Sequence, residues 1–208
     1  IAVSEKNDLF KAPETYMQKI STKVKEKGVI DLDYSVKKNI TNLSDFLNKN
    51  PENLTACILD RPRHIEIINS LKDLKVNLKL ISDGDVSGAL LVTDDKYNVD
   101  IFLGIGGGPE GVLAAAALDA FDCNFQGRFL FNTDNDIIRA KKMGITDLTR
   151  KYELNEIVSG DSIFCATGIT SGDMVSGIEI KNDEFISETF ITHKSSGLKK
   201  VIQTKQKI

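Results

Sequence analysis

Three short polar runs in this chain could do chemistry. The first, Asp60-Arg61-Pro62-Arg63-His64, sets two guanidinium groups on either side of a stiff proline. Such forks suit a phosphate, through bidentate contacts and the positive end of a following helix. The same arginines could instead pair with Asp60 or Glu66 on the surface. The second, Ser82-Asp83-Gly84-Asp85, places two carboxylates astride a glycine. They could accept hydrogen bonds from ligand hydroxyls or hold a hard cation, or serve as a helix N-cap and turn. The third, Gly106-Gly107-Gly108-Pro109-Glu110-Gly111, lets backbone N–H groups come close to a ligand. Its Glu110 falls in the first turn of a helix, where the carboxylate could hold Mg²⁺ or Mn²⁺ or simply offset the helix dipole. It lacks the lysine of a P-loop and departs from GxGxxG, whose third glycine would fall on Pro109.

Other candidates carry less. His64 and His193 lie too far apart in sequence to suggest a ligand pair; His64 reads as a helix-surface residue and His193 as a strand residue. Thr167-Gly168-Ile169-Thr170-Ser171-Gly172-Asp173 is either a plain turn or a second phosphate loop. No Ser/His/Asp or Cys/His set for nucleophilic catalysis is evident.

Each polar run follows an apolar one. Leu54–Leu59, Leu78–Ile81 and Val99–Ile105 read as strands that end at the three clusters. Between them, Ile65, Ile68, Leu71 and Leu74 recur at helical spacing, and a short helix is expected over Val86–Val92. Val112–Phe121 is rich in strong helix formers, with Pro109 suited to the first turn. Val36–Leu47 reads as an amphipathic surface helix, and Ile137–Met143 reads as helical. Ile163–Thr167 reads as a strand, and the stretch from Gly177 onward as a β-meander turning at Asn182-Asp183 and Ser196-Gly197. The order strand–helix–strand–helix argues for one layered α/β unit with an antiparallel C-terminal portion. In such sheets ligands bind beyond the carboxyl ends of the strands, so neighbouring strands would bring the three clusters to one rim.

The 208 residues can bury a substantial core. A net charge of -3 offers no general attraction for nucleic acid, and the lysines near the C-terminus read as a solvated strand. No apolar stretch reaches the roughly 18–20 residues of a membrane span. Cys57 and Cys165 sit in apolar runs and read as small core residues, Cys123 stands far from both, and the odd count without CxxC or Cys/His spacing fits a reducing cytoplasm rather than a zinc site. The apolar opening Ile1-Ala2-Val3 reads as a strand cut from a longer chain.

The sequence resembles the class II fructose-1,6-bisphosphatases, including the bifunctional fructose/sedoheptulose bisphosphatases. The matching segments run in family order: LFKAPETYMQK (9–19), DLD (31–33), LDRPRH (59–64), ISDGDV (81–86), GIGGGPEGVLAAAA (104–117), QGR (126–128), KKMGI (141–145) and SIFCATGITSGD (162–173). The resemblance implies a layered αβαβα, inositol-monophosphatase-like sugar-phosphatase fold, of which this would be the C-terminal, substrate-binding portion. It implies that Tyr16, Arg61, Pro62, Arg63, Asp83, Gly84, Asp85 and Gly107 contact a sugar bisphosphate, with Glu110 as a metal ligand. The implied reaction is Mg²⁺- or Mn²⁺-dependent hydrolysis of the 1-phosphate of fructose 1,6-bisphosphate, with sedoheptulose 1,7-bisphosphate as a possible second substrate, in a cytoplasmic homo-oligomer. Gly108 stands where the family usually has Ala, a tolerable change. The family's other metal carboxylates, in a DPIDGT-type motif, have no counterpart here, so these residues alone are expected to be inactive. Two alternatives stand: a phosphatase for another sugar or inositol phosphate, and a non-catalytic sugar-phosphate-binding protein.

Overall fold

The computed structural model describes residues 1–207. Along the chain run β1 (Ala2–Ser4), β2 (Tyr16–Thr22), α1 (Val36–Leu47), β3 (Thr55–Leu59), α2 (Ile65–Asp73), β4 (Asn77–Ile81), α3 (Asp85–Leu90), β5 (Ile101–Gly107) and α4 (Gly108–Asp119). They are followed by β6 (Asn124–Leu130), α5 (Asp134–Lys142), β7 (Lys151–Glu153), α6 (Leu154–Ile157), β8 (Ser162–Thr167), β9 (Glu179–Lys181), β10 (Glu184–His193) and β11 (Leu198–Lys207).

The first sheet has the order β4-β3-β5-β2-β6-β7. β3 is parallel to both β4 and β5, whereas β2 runs antiparallel between β5 and β6. The sheet is therefore mixed, and parallel only where the polar clusters sit. β2 and β6 carry no clean apolar alternation, because buried Lys19 and Gln126 interrupt them. The second sheet has the order β1-β8-β10-β11, with β9 paired to β10.

Alternation along each strand sends side chains to two separate cores. On one face of the first sheet, Ile20, Ala56, Ile101 and Leu103 pack with Ile40 and Leu43 of α1 and Leu71 of α2. Helix α1 has this single apolar stripe. Its start is capped by the Ser35 side chain, which accepts the Lys38 N–H at 3.1 Å, and it ends at Asn48 in the left-handed region. Burying Ile40 or Leu43 is worth about 1.5–3 kcal/mol each.

On the other face, Met17, Cys57, Phe102, Phe125 and Phe129 meet α3 and α4, which in turn meet Phe164 and Phe190 of the second sheet. Every residue from Ala114 to Leu118 is buried. Helix α4 is apolar all round because it is sandwiched between two sheets. The described layers are thus helix, sheet, helix, sheet. Register aligns Val3 with Ile163 and Ile163 with His193 on the outer face of the second sheet, where Val3 is 54% and Ile202 39% exposed. No described helix covers that face, so a fifth layer is not among these residues.

Candidate functional site

The parallel strands β3, β4 and β5 end on one rim, as their register requires. Beyond β3 the chain enters a short 3₁₀ turn at Pro62–His64; beyond β4 it turns at Gly84 (φ 79°) into α3; beyond β5 it passes directly into α4. The antiparallel β2 adds its own first residue, Tyr16, opposite Gly107. Tyr16, the Arg61-Pro62-Arg63 turn, Asp83-Gly84-Asp85, Gly107 and Glu110 therefore meet, and each touches or faces another member of the set.

At the centre lies Lys19, which sequence reading did not single out. It is 1% exposed and stands on β2, facing the α3/α4 core. Its Nζ donates to Asp85 Oδ2 and, at 2.9 Å, to the carbonyl oxygen of Gly107. Burial pushes the Lys19 ammonium below its ordinary pKa, while Asp85 beside it pulls the other way. The glycine turn exists to let these groups close in: a Cβ on Gly106 would overlap the Asp85 carboxylate, and one on Gly107 would overlap Glu110.

His64 is not on a helix surface. It is fully buried, a correction to the expectation from its charged neighbours. Its Nδ1 lies 2.7 Å from the Leu59 carbonyl oxygen and its Nε2 accepts the Ile105 N–H at 2.8 Å, which fixes a neutral ring with the proton on Nδ1. Burial is the main cause of its lowered pKa. The β3–β5 ladder pairs only Ala56 with Ile101 and Cys57 with Phe102; past that point the imidazole spans the widening gap.

The two arginines differ. Arg61 donates to Asp83 Oδ1 at 2.7 Å and to the Asp60 carbonyl oxygen at 3.1 Å, so its surface partner is Asp83 rather than Asp60 or Glu66 side chains. Arg63 donates through Nε to the Ile105 carbonyl oxygen at 2.9 Å, and its guanidinium carbon lies 5.1 Å from the centre of the Tyr16 ring. Among the described residues the two terminal nitrogens of Arg63 donate to no protein group. A backbone anchor and an aromatic face fix the guanidinium in place and leave those two nitrogens able to take a ligand.

Beside Tyr16, Gly107 and Glu110 opens a cavity of about 590 Å³, lined also by Glu14 and Asp136. Among the described residues no three His, Cys, Asp or Glu side chains are grouped to hold a metal ion. Glu110 could supply one carboxylate to Mg²⁺ or Mn²⁺, which require more oxygen ligands than this. A second cavity, of about 580 Å³, runs from Asp83 and Gly84 to Thr170–Val175, and Lys79 ties that loop down by a 3.0 Å pair with Asp173. The hydroxyl-rich 167–173 turn thus borders the rim.

Other groups lie elsewhere. Asp31 and Asp33 pair with Lys151 and Arg128, fastening the α1 entry to β6 and β7. His193 pairs with Asp161 at 2.6 Å beside the β10–β11 turn.

Polar loops gathered at the carboxyl ends of parallel strands, on two sheets with helices between and outside them, define a mixed α/β protein with a candidate ligand rim. The chain belongs to the bacterial fructose-1,6-bisphosphatase family, glpX-encoded, which it matches over residues 1–206. Among curated proteins it is 33% identical to a D-fructose 1,6-bisphosphatase class 2/sedoheptulose 1,7-bisphosphatase of Synechococcus sp. (strain JA-3-3Ab), over 98% of this chain and 62% of that protein. It is 37% identical to the protein of that name in Microcystis aeruginosa, over 86% of this chain and 55% of its relative. The chain therefore spans about three fifths of the length of such relatives.

Proposed function

We propose that this chain is the substrate-binding portion of a class II fructose-1,6-bisphosphatase, which hydrolyses the 1-phosphate of fructose 1,6-bisphosphate. The observation that carries the reading is Arg63, whose terminal nitrogens are free beside Tyr16 while carboxylates at Asp83 and Asp85 stand on the same rim. In this reading Arg63, with Arg61 and Tyr16, holds the phosphate that is retained. Asp83 and Asp85 accept hydrogen bonds from sugar hydroxyls, and the backbone at Gly107 approaches the ligand closely. Glu110 is one ligand of a divalent cation.

The reaction breaks the bond between phosphorus and the C1 oxygen. Water adds its oxygen to phosphorus, the sugar oxygen leaves with a proton, and the products are fructose 6-phosphate and inorganic phosphate. Bound Mg²⁺ or Mn²⁺ would offset phosphoryl charge and lower the pKa of the attacking water. This chain's part is to hold and orient the sugar, and to keep Glu110 fixed above the glycine turn. The remaining cation ligands belong, in this reading, to the part of the longer protein that its relatives share. That part would also supply the layer over Val3, Ile163 and Ile202, completing αβαβα.

The test is inorganic phosphate release from fructose 1,6-bisphosphate by the full-length protein, with and without Mn²⁺, beside Glu110→Gln. Metal-dependent release abolished by the substitution is expected. A folded protein that releases no phosphate from this or any other sugar phosphate would sink the reading.

A further inference from the structure

Among the described residues Lys19 is the one fully buried cation at the rim, and the proposed reaction assigns it no contact with the sugar or the metal. Its geometry is nonetheless specific. One Nζ proton goes to Asp85, 66 residues away at the start of α3, and another to the Gly107 carbonyl oxygen at the end of β5. The side chain therefore ties together two strand ends that share no ladder, since β5 pairs with β2 and β3 but not with β4. Asp85 is itself only 12% exposed and is held through Oδ2. This leaves Oδ1 as the oxygen available to a ligand hydroxyl. A buried carboxylate deprived of its cation would both lose its fixed position and carry an uncompensated charge.

We infer that Lys19 is a positioning residue for sugar recognition, acting through Asp85: it fixes which carboxylate oxygen faces the ligand and holds that oxygen in register with the Gly107 turn. The inference rests on the proposed sugar-phosphate reading of the rim. It places the decisive contact outside the loops that touch substrate, three residues along β2 from Tyr16 and inside the core.

The test is a double-mutant cycle on affinity. Fructose 6-phosphate is titrated calorimetrically into the EDTA-treated full-length protein and into Lys19→Met, Asp85→Asn and the double variant. Positioning through Asp85 predicts that Lys19→Met alone weakens binding tenfold or more. It also predicts that the double variant binds within about twofold of Asp85→Asn alone, because the two residues act as one unit. A residue that merely supports the fold would give losses that multiply. Multiplying losses, or a Lys19→Met affinity within twofold of wild type, would overturn the inference. Should Lys19→Met lack a cooperative melting transition, Lys19→Arg carries the same cycle, since it keeps the charge but replaces the compact ammonium with a planar fork. Failure of the wild-type protein to bind fructose 6-phosphate would remove the reading of the rim and the inference with it. Binding by wild type with multiplying losses removes the inference alone.

Discussion

His64 Nε2 accepts the backbone N–H of Ile105 at 2.8 Å, a bond a protonated ring cannot make. Arg61 and Arg63 add like charge beside the burial that already lowers the His64 pKa. The unfolded chain takes up this proton near the ordinary value of 6.5, before the folded protein does. Stability from neutral His64 is therefore complete above that pH and is lost as pH falls toward the depressed folded value. Melting temperatures measured from pH 8 to pH 5 should fall more steeply below 6.5 for wild type than for His64→Gln. Parallel curves would refute the assignment.

The arginines should separate by substitution. Arg63 offers a ligand unpaired nitrogens, whereas Arg61 must first give up Asp83. Losing a charge-assisted hydrogen bond costs about 1.5–3 kcal/mol. Arg63→Ala should therefore weaken fructose 6-phosphate binding by roughly 10- to 100-fold, and Arg61→Ala by less. Calorimetric titration of both variants checks the order, and a larger loss at Arg61 would reverse it.

Adding one methyl group at the turn should be enough to disable it. The Cβ of Gly107→Ala would occupy the place of the Glu110 carboxylate and displace it. Phosphate release by the full-length variant should fall at least tenfold, with its circular dichroism spectrum unchanged. Retained Mn²⁺-dependent turnover would argue that Glu110 is not at the metal.

Thiol chemistry gives a cheap check of the core. Burial pushes the Cys57 and Cys123 thiols up to about 12, whereas Cys165 lies half-buried on β8. A native sample treated with a thiol-specific disulfide reagent should label at Cys165 first, with the other two reacting only on unfolding. Rapid labelling at Cys57 would mean the interface of β3 with the α3/α4 layer is open.

The loops of the site were legible because polarity changes abruptly where each apolar run ends. Arg61, Asp83 and Glu110 announce themselves in that way. Lys19 does not, because it sits in the run YMQKIST, where no apolar pattern marks a strand, and the partner that makes the lysine buriable, Asp85, comes from α3. His64 misleads for a related reason. Arg63 before it and Glu66 two residues on suggest solvent, but its burial follows from the divergence of β3 and β5, which is a tertiary event. Helix α4 was legible as a helix, although its first turn begins at Gly108. Its position between two sheets could be read only from the assembled layers. β2 and β6 were missed because buried Lys19 and Gln126 break the apolar pattern; Gln126 is satisfied by the Leu32 N–H and by Glu153, far from it in sequence.

The antiparallel insertion of β2 also sets a timetable. Tyr16 pairs with Gly107 on one side and Leu130 on the other, so this strand has no place in the sheet until both partners exist. During synthesis, Tyr16 and Lys19 must wait for more than a hundred residues to emerge before β6 can close over them. Contacts that span such separations form slowly. The rim is therefore among the last parts of the first sheet to mature, and a nascent chain paused before Leu130 would carry Lys19 and both rim arginines with one edge of β2 still unpaired.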